Sequence, residues 1–384
     1  MRITAVRDTT VADPTQTRNA SIGFSSMTAS ALVVETDRVR DGVPLRGLAF
    51  DSVGRYAHGA LLRERFGPRL LVARPDDYLD ESGDNIDPAK VWAILMQDEK
   101  PGGHGERAGA VGLLDAAIWD LVAKIAGRPL WAELGHRFGG ATSERVPIYA
   151  TCGFYNARDD LDILRAELGQ VLDLGHDCIK IKAGGLPIAD DCRRIESALS
   201  VLDGKAALAL DCNGTMALPA ARELFAALAG YPLAWIEEPV DPLDFESLRA
   251  LAAEFPVPIG TGENLFSAAD ARNLLRHGGL RADRDLLQMD VSLSYGIVEY
   301  LRILDLMESR GWSRRQCAPH SGHLLSLHVV AGLGLGRHET APFSRYVHGR
   351  PVQNGYVCAG AQPGAGFEHA PKMLAAFSQL LAGC

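Results

Sequence analysis

From ALALDCNG (207–214) to RQCAPHSG (315–322), the chain repeats one pattern, in which a short apolar, strand-like run turns polar at its end. The segments between the two are PLAWIEEP (232–239), PVPIGTGEN (256–264) and DLLQMDVS (285–292). Helical, Ala- and Leu-rich stretches separate them, and strands that alternate with helices predict a parallel sheet. In a (β/α) barrel the carboxyl ends of all strands meet at one mouth, so we expect the polar residues there to converge.

Six residues suited to metal or proton chemistry stand at these strand ends. They follow one another at intervals of 26 to 30 residues, about one strand and one helix, and are Lys182, Asp211, Glu237, Glu263, Asp290 and His320. The pattern predicts an α/β fold with a TIM-type barrel, either (β/α)7β or (β/α)8, and an active site at its mouth.

Three of the six are carboxylates on successive units: Asp211, Glu237 and Glu263. Brought together they would repel one another unless a cation lay among them, and an all-oxygen ligand set suits Mg²⁺. The alternative is that each is a solvated loop carboxylate. Glu238, next to Glu237, would point the other way on a strand and is the weaker candidate.

Two lysines lie on one strand, CIKIKAGG (178–185), where alternation puts Lys180 and Lys182 on the face opposite to the isoleucines. Helices cover the outside of barrel strands, so the lysines are expected to point inward, although the reverse arrangement would leave them solvated outside. Buried ammonium groups are costly. Lys182, nearer the strand end, is interpreted as a base whose pKa Lys180 lowers by like-charge repulsion.

His320 lies in APHSGH (318–323), one unit after Asp290. A carboxylate at the adjacent strand end can orient the imidazole and keep it protonated, which predicts an acid/base pair. His323 is interpreted as structural. The Asp290/His320 pair and Lys182 come from strands on opposite sides of the predicted mouth, with the three carboxylates between them.

The segments before and after the repeated strand-helix pattern have a different sequence pattern. Residues 1–125 predict an α+β capping domain, residues 126–345 the barrel, and residues 346–384 a segment that returns to the capping domain. Two polar, Gly-containing stretches near 17–28 and 99–107 predict lid loops. The second, EKPGGHGER, lacks the GK[ST] ending of a phosphate-binding P-loop, so a nucleotide site is disfavoured.

Composition excludes several classes of function. The hydrophobic fraction of 47% and charged fraction of 23% are ordinary for a soluble enzyme, and a net charge of −9 disfavours nucleic acid as a partner. No signal peptide or membrane span is predicted, so we expect a cytoplasmic protein. The 7 cysteines include no CxxC pair, which argues against a structural zinc site.

The strand-end motifs KIK, DCNG, WIEEP, GTGEN, QMD and PH resemble, as a set, the mandelate racemase branch of the enolase superfamily over essentially the whole chain. Within that branch, other stretches are similar to the D-tartrate dehydratases: RNASIGF, GDNIDPAKVW, EKPGGHGER, DPLDF, GENLFSAADARNLLR and LSYGIVEY. Related acid-sugar dehydratases share much of this second set. The strand-end DCN carries Cys212 where that branch commonly has alanine.

The resemblance implies a hydro-lyase. Asp211, Glu237 and Glu263 would ligate Mg²⁺, Lys182 would take the proton α to a carboxylate, and His320, polarised by Asp290, would protonate the departing β-hydroxyl. D-tartrate would give oxaloacetate. The resemblance further implies substrate contacts from the capping loops and the eighth strand end, through Arg18, Asn19, Lys100 and Glu339.

Two alternatives stay open at this point. Opposed proton-transfer groups would also serve a racemase or epimerase, or a dehydratase of another aldarate or aldonate. A non-catalytic binding protein of the same fold would be expected to lack at least one of the six residues. The expected partner is a small acid sugar, without nucleic acid or membrane, and barrels with capping domains often form homo-oligomers.

Overall fold

The computed structural model describes residues 1–12, 15–51, 56–139, 142–343 and 350–382. The chain begins with a three-stranded antiparallel sheet in the order β1 (Ile3–Ala12), β2 (Thr28–Arg40), β3 (Val43–Asp51). The apolar run SALVV (30–34) lies in the central strand β2. β1 was not predicted, because its sequence ITAVRDTTVA shows no sustained alternation of apolar and polar residues.

Helices follow this sheet, and several of them pack against it. They are α1 (Gly59–Leu61), continued by a π-helical turn (Leu62–Phe66), α2 (Gly67–Val72), α3 (Pro75–Tyr78), α4 (Pro88–Leu95), α5 (Arg107–Ala126) and α6 (Leu130–Phe138). Helix α5 is buried along almost its entire length. A Cβ added at Gly112 would stand 1.8 Å from the carbonyl oxygen of Ser292, so only glycine permits this approach of α5 to the barrel.

The barrel alternates strands and helices from residue 145 onward. Its elements are β4 (Arg145–Cys152), α7 (Asp160–Asp173), β5 (Cys178–Lys182), α8 (Ile188–Leu202), β6 (Ala207–Asp211), α9 (Leu218–Ala227), β7 (Leu233–Glu237), α10 (Phe245–Glu254), β8 (Ile259–Thr261), α11 (Ala268–His277), β9 (Leu286–Leu287), α12 (Ile297–Glu308), α13 (Leu324–Leu333) and β10 (His338–Thr340). Adjacent strands from β4 to β9 pair in parallel, and β10 pairs in parallel with β4.

A single parallel bridge from Leu287 to Cys317 provides the seventh strand position, between β9 and β10, and a bond from Gly336 N–H to the Cys317 carbonyl continues the ring. Seven strand-helix pairs and a closing eighth strand therefore make a (β/α)7β barrel, with α13 following the seventh position. The predicted α/β class, with a barrel and a separate α+β part, is confirmed.

The end of the chain leaves the barrel pattern. Strand β11 (Tyr356–Cys358) pairs antiparallel with the start of β4, and helix α14 (Pro371–Leu381) lies against β1 and β2. The predicted domain limit at 345/346 lies outside the described residues, and that at 125/126 falls at the end of α5. Among the described helices, none combines the length and the apolar character needed to cross a bilayer.

Candidate active site

The site forms where neighbouring parallel strands end in register. Lys182 at the end of β5 stands beside Asp211 at the end of β6, and Asp211 stands beside Glu237 at the end of β7. Since strands in register present the same face at the same level, their side chains meet at the barrel mouth.

Asp211, Glu237 and Glu263 bring one carboxylate oxygen each to within 4.8 Å of one another. Asp211 and Glu237 are buried, whereas Glu263 is partly exposed. Burial raises the pKa of Glu237 to about 7. Lys180 acts to lower this pKa, while the neighbouring carboxylates raise it further. A converging, all-oxygen donor set with mutual repulsion, two of its three members buried, fits a hard divalent cation such as Mg²⁺.

The two lysines point into this cluster. Lys182 Nζ donates to Asp211 Oδ2 at 2.5 Å, while Lys180 Nζ lies 2.6 Å from Glu237 Oε1 and 3.8 Å from Asp211 Oδ2. Burial and Lys180 act to lower the pKa of Lys182, but Asp211 outweighs them and leaves that pKa above its ordinary value. Lys180 therefore cross-links two candidate ligands, and its repulsion of Lys182 is only one of several influences.

Glu238 turns away from its neighbour Glu237 through a left-handed backbone, with φ of 40°. Its carboxylate accepts two bonds of 3.0 Å from Asn264 Nδ2, which also lies 3.3 Å from Glu263 Oε1. Burial, and then Glu263, raise the pKa of Glu238 well above its usual range. Glu238 thus supports the ligand cluster from behind through a shared amide.

His320 lies between two carboxylates. Its Nδ1 is 3.0 Å from Asp290 Oδ2 and its Nε2 is 3.3 Å from Glu263 Oε2. Burial opposes protonation, but Glu263 and Asp290 outweigh it and raise the pKa of His320 to about 10. The imidazole is therefore protonated at neutral pH and poised to act as an acid.

His323 approaches the other oxygen of Asp290, with 3.7 Å from its Nε2 to Oδ1, and its Nδ1 accepts the Ser326 N–H at the start of α13. The two histidines together hold the pKa of Asp290 well below its usual range, against the effect of burial.

Glu339, at the level of β10, joins the same network. Its carboxylate receives the Ser321 N–H at 2.8 Å, the Tyr149 hydroxyl at 3.3 Å and the Thr151 hydroxyl, and lies 3.3 Å from Lys180 Nζ. Burial opposes its ionisation, but Lys180 and then His320 lower its pKa. Glu339 therefore lies in a hydrogen-bonded network at the inner wall of the mouth.

The structure does not bring the capping-loop candidates into this network. Arg18 is exposed and its guanidinium lies 5.3 Å from the centre of the Tyr155 ring. Asn19 is buried, and its side-chain oxygen accepts the N–H groups of Ser21 and Ile22. Lys100 is exposed, and its carbonyl accepts a bond from Arg107.

Sequence reasoning missed several supporting residues. Gln288 Nε2 donates to Glu237 Oε2 at 2.5 Å, and Trp235 Nε1 lies 3.2 Å from the same oxygen. Alternation along the strand could have found Gln288, which stands two residues before Asp290 and so shares its face. The same alternation on β4 puts Tyr149 and Thr151 on the inner face with Glu339.

The arrangement of these side chains is suited to proton transfer on a small molecule held at the carboxylate cluster. A carboxylate cluster that could hold a cation lies between two groups able to transfer protons, with Lys182 against Asp211 and His320 against Glu263. A small molecule held at the cluster would thus have a proton acceptor on one side and a proton donor on the other.

Comparison with known proteins agrees with this geometry. Residues 164–373 match the family described as enolase C-terminal domain-like. The chain is 30% identical over 320 residues to the L-talarate/galactarate dehydratase of Salmonella typhimurium, covering 80% of this chain and 72% of that protein. It is 26% identical over 275 residues to the arabinonate dehydratase of Saccharolobus solfataricus, covering 69% of this chain and 71% of that protein.

Among solved structures, the L-talarate dehydratase of Polaromonas sp. JS666, crystallised with Mg and L-glucarate, superposes with a TM-score of 0.75. The two chains are 28% identical, and the match covers 95% of this chain and 94% of that one. The likeness therefore spans both the barrel and the part that precedes it.

Proposed function

Because this chain belongs to the enolase superfamily, with a C-terminal domain of the mandelate racemase and muconate lactonizing type, we propose that it is a Mg²⁺-dependent acid-sugar dehydratase. The observation that carries the proposal is the three-carboxylate cluster flanked by Lys182 and by the Asp290-backed His320. The two relatives that are named dehydratases support the same class of reaction.

Asp211, Glu237 and Glu263 would hold the cation, and Lys180, Gln288 and Asn264 keep those carboxylates in place. When bound, Mg²⁺ supplies the positive charge that offsets carboxylate repulsion, lowers the pKa of Lys182 and stabilises negative charge developing on a substrate carboxylate.

Lys182 is the proposed base. Its side chain is only 7% exposed, so the amine faces the barrel mouth and is largely shielded from bulk water. The neutral amine would take the proton from the carbon α to the substrate carboxylate, and Lys180 makes the ammonium form less favourable at this position.

His320 is the proposed acid, because its raised pKa keeps it protonated at neutral pH. It would give its proton to the β-hydroxyl as the C–O bond breaks, so that the electron pair of the α C–H bond forms the C=C bond and water leaves. The enol product then tautomerises to a 2-keto acid. Asp290 keeps the imidazole oriented throughout.

Within this class we propose D-tartrate as the substrate and oxaloacetate as the product, on the strength of the stretches RNASIGF, EKPGGHGER and LSYGIVEY. Residues 1–125 would act as the capping domain over the mouth of barrel 126–345. Arg18, Asn19 and Lys100 would meet the distal carboxylate or hydroxyls, and Glu339 a substrate hydroxyl.

The test is turnover of a panel of tartrates, aldarates and aldonates with Mg²⁺, read by a carbonyl reagent for 2-keto acids. We expect keto product that disappears with a chelator and returns with added Mg²⁺. Glu263→Gln should abolish the activity, whereas Glu246→Gln, an exposed position on α10, should leave it unchanged. Isomers that exchange the α proton with solvent deuterium without keto product would instead establish a racemase or epimerase.

A further inference from the structure

Two aromatic rings connect the capping part of the chain to Lys182. The Phe154 ring lies under the ammonium group, with 5.1 Å from Lys182 Nζ to the ring centre. Phe24 meets Phe154 edge to face, with 5.7 Å between ring centres and an interplanar angle of 89°. Nζ within about 6 Å of a ring face is a cation–π contact, and the perpendicular ring pair is a favoured aromatic geometry.

Both backbone polar groups of the residue before Phe154 are hydrogen-bonded. Gly153, with φ of 63°, receives a bond at its carbonyl from Arg194 Nη2 at 2.8 Å, and its N–H donates to Glu167 Oε2 at 2.8 Å. A Cβ at this position would stand 2.9 Å from Ile181, which favours glycine. The turn therefore directs Phe154 toward Lys182 with little freedom.

Phe24 is carried by a small hairpin, residues 17–24. Its N–H donates to the Thr17 carbonyl at 3.2 Å, and Asn19 closes the turn. The hairpin is fixed to the barrel by the residue after Phe154, because Tyr155 N–H donates to the Arg18 carbonyl at 2.9 Å and the Arg18 guanidinium lies over the Tyr155 ring.

Consecutive residues of one barrel loop thus have separate contacts. Tyr155 binds the hairpin and donates its hydroxyl to Asp191 at 2.9 Å, while Phe154 faces Lys182. We propose that Phe154, braced by Phe24, is a positioning residue for Lys182 that couples docking of the 17–24 hairpin to placement of the base. This role rests on the proposed function, in which Lys182 removes the α proton.

The physical reason lies in the lysine side chain. Four rotatable bonds separate Nζ from the strand, and within the described part of the chain Nζ contacts Asp211 on one side and the Phe154 face on the other. When the carboxylate serves as a metal ligand, the ring is the remaining wall that limits where the amine lies. The ring face attracts the ammonium that Lys182 becomes when it takes the proton, whereas an aliphatic side chain of similar size would only fill the space.

Crystal structures and hydrogen exchange test the placement without a substrate. With Mg²⁺ bound, we expect Lys182 to occupy one rotamer in the wild type and several in Phe154→Leu. The Tyr155 and Phe24 amides should exchange faster in Phe154→Leu and Phe24→Leu. Phe138→Leu, a half-exposed aromatic that packs on Trp119, is the matched control and should behave as wild type. An unchanged Lys182 rotamer in Phe154→Leu would overturn the proposal.

Kinetics on whichever acid is turned over test the consequence. Phe154→Leu should lower kcat by about tenfold, with KM changed by less than about threefold. Phe154→Tyr, which keeps an aromatic face, should have a kcat near that of the wild type. Equal loss in Leu and Tyr variants, or a loss confined to KM, would contradict a role through the ring face. If no acid is turned over, the proposed function fails, and the structural and exchange results still decide this proposal.

Discussion

At the scale of single residues, Lys182 and His320 differ in what they contact and therefore in what each can do. Lys182 meets Asp211 and an aromatic face, whereas His320 is held between Asp290 and Glu263 as an imidazolium. A group that must be neutral to act lies on one side, and a group that must be charged to act lies on the other.

This difference predicts separable defects. In His320→Asn the α proton should still exchange with solvent deuterium, because Lys182 and the ligand cluster are intact, while 2-keto acid formation falls by about 10²–10⁴-fold. In Lys182→Ala both reactions should fall by a similar factor. Proton NMR in D₂O and the carbonyl assay measure the two reactions on one sample.

The outcome is informative in each direction. If His320→Asn lost deuterium exchange as completely as Lys182→Ala, then His320 would be needed for α-proton removal and the roles would be wrong. His277→Asn, at an exposed position on α11, is the control and should leave both rates unchanged.

Much of the site could be predicted from sequence because strand ends recur at a regular interval and alternate residues share a face. Asp211, Glu237 and Gln288 obey that rule. The Phe24 to Phe154 contact does not, because it joins a hairpin and a loop that are distant in the chain and have no periodic pattern. Likewise, the shared amide of Asn264 depends on the left-handed backbone of Glu238, which no side-chain pattern signals.

At the scale of elements, Asp115 joins the buried helix α5 to the barrel. Its carboxylate oxygen accepts the Ile297 N–H at 2.5 Å and so satisfies the start of α12, as an N-cap from another part of the chain. Burial raises the pKa of Asp115 well above its usual range, which means that the ionised form is disfavoured here.

A neutral acceptor should therefore serve at this position. We expect Asp115→Asn to change the free energy of unfolding by less than about 1 kcal/mol, and Asp115→Ala to lower it by about 2–3 kcal/mol because the helix start is left buried and unbonded. Urea unfolding followed by tryptophan fluorescence measures both. Equal destabilisation by Asn and Ala would show that the negative charge matters, and exposed Asp305→Asn on α12 is the control.

Elements with a clear period were predictable. Apolar residues recur at helical spacing through α5 (Arg107–Ala126) and α8 (Ile188–Leu202), so the sequence pattern indicates both helices. The interhelix contacts that fix α5 against α12 could not be read from sequence, because Gly112 and Asp115 look like an ordinary small residue and a surface charge until their burial is known.

At the scale of the whole molecule, the C-terminal segment holds the two main parts together. Gly364 pairs with residues 128–130, donating to the Arg128 carbonyl at 2.9 Å and accepting the Leu130 N–H at 2.8 Å. The Lys124 ammonium bridges Asp120 and Glu368, each at 2.7 Å. A chain end that is bonded to α5 and α6 and packed on β1 and β2 contributes to global stability.

His328 lies at the centre of this junction. In helix α13, its Nδ1 accepts the Trp131 N–H at 3.2 Å from α6, and its Nε2 lies 3.0 Å from the Ala365 carbonyl of the C-terminal segment. Both bonds need the neutral ring with hydrogen on Nε2, since a proton on Nδ1 would face the Trp131 N–H. Burial, and then Arg350, lower the pKa of His328 to about 3.

The depressed pKa predicts a pH dependence with a definite sign. Between pH 3 and about 6.5 the unfolded chain binds a proton that the folded chain does not, so the stabilisation is complete above about pH 6.5 and is lost as pH falls. From pH 7 to pH 5 the loss of unfolding free energy attributable to His328 is about 2 kcal/mol.

His328→Gln should be less stable at pH 7, but its unfolding free energy should fall by about 2 kcal/mol less than that of the wild type between pH 7 and pH 5. Because every other titrating group is shared, the difference between the two urea series isolates His328, and exposed His277→Gln should keep the wild-type slope. Parallel slopes for wild type and His328→Gln would mean that the folded junction accepts the proton, and that the bonds from Trp131 and to Ala365 do not hold the neutral ring.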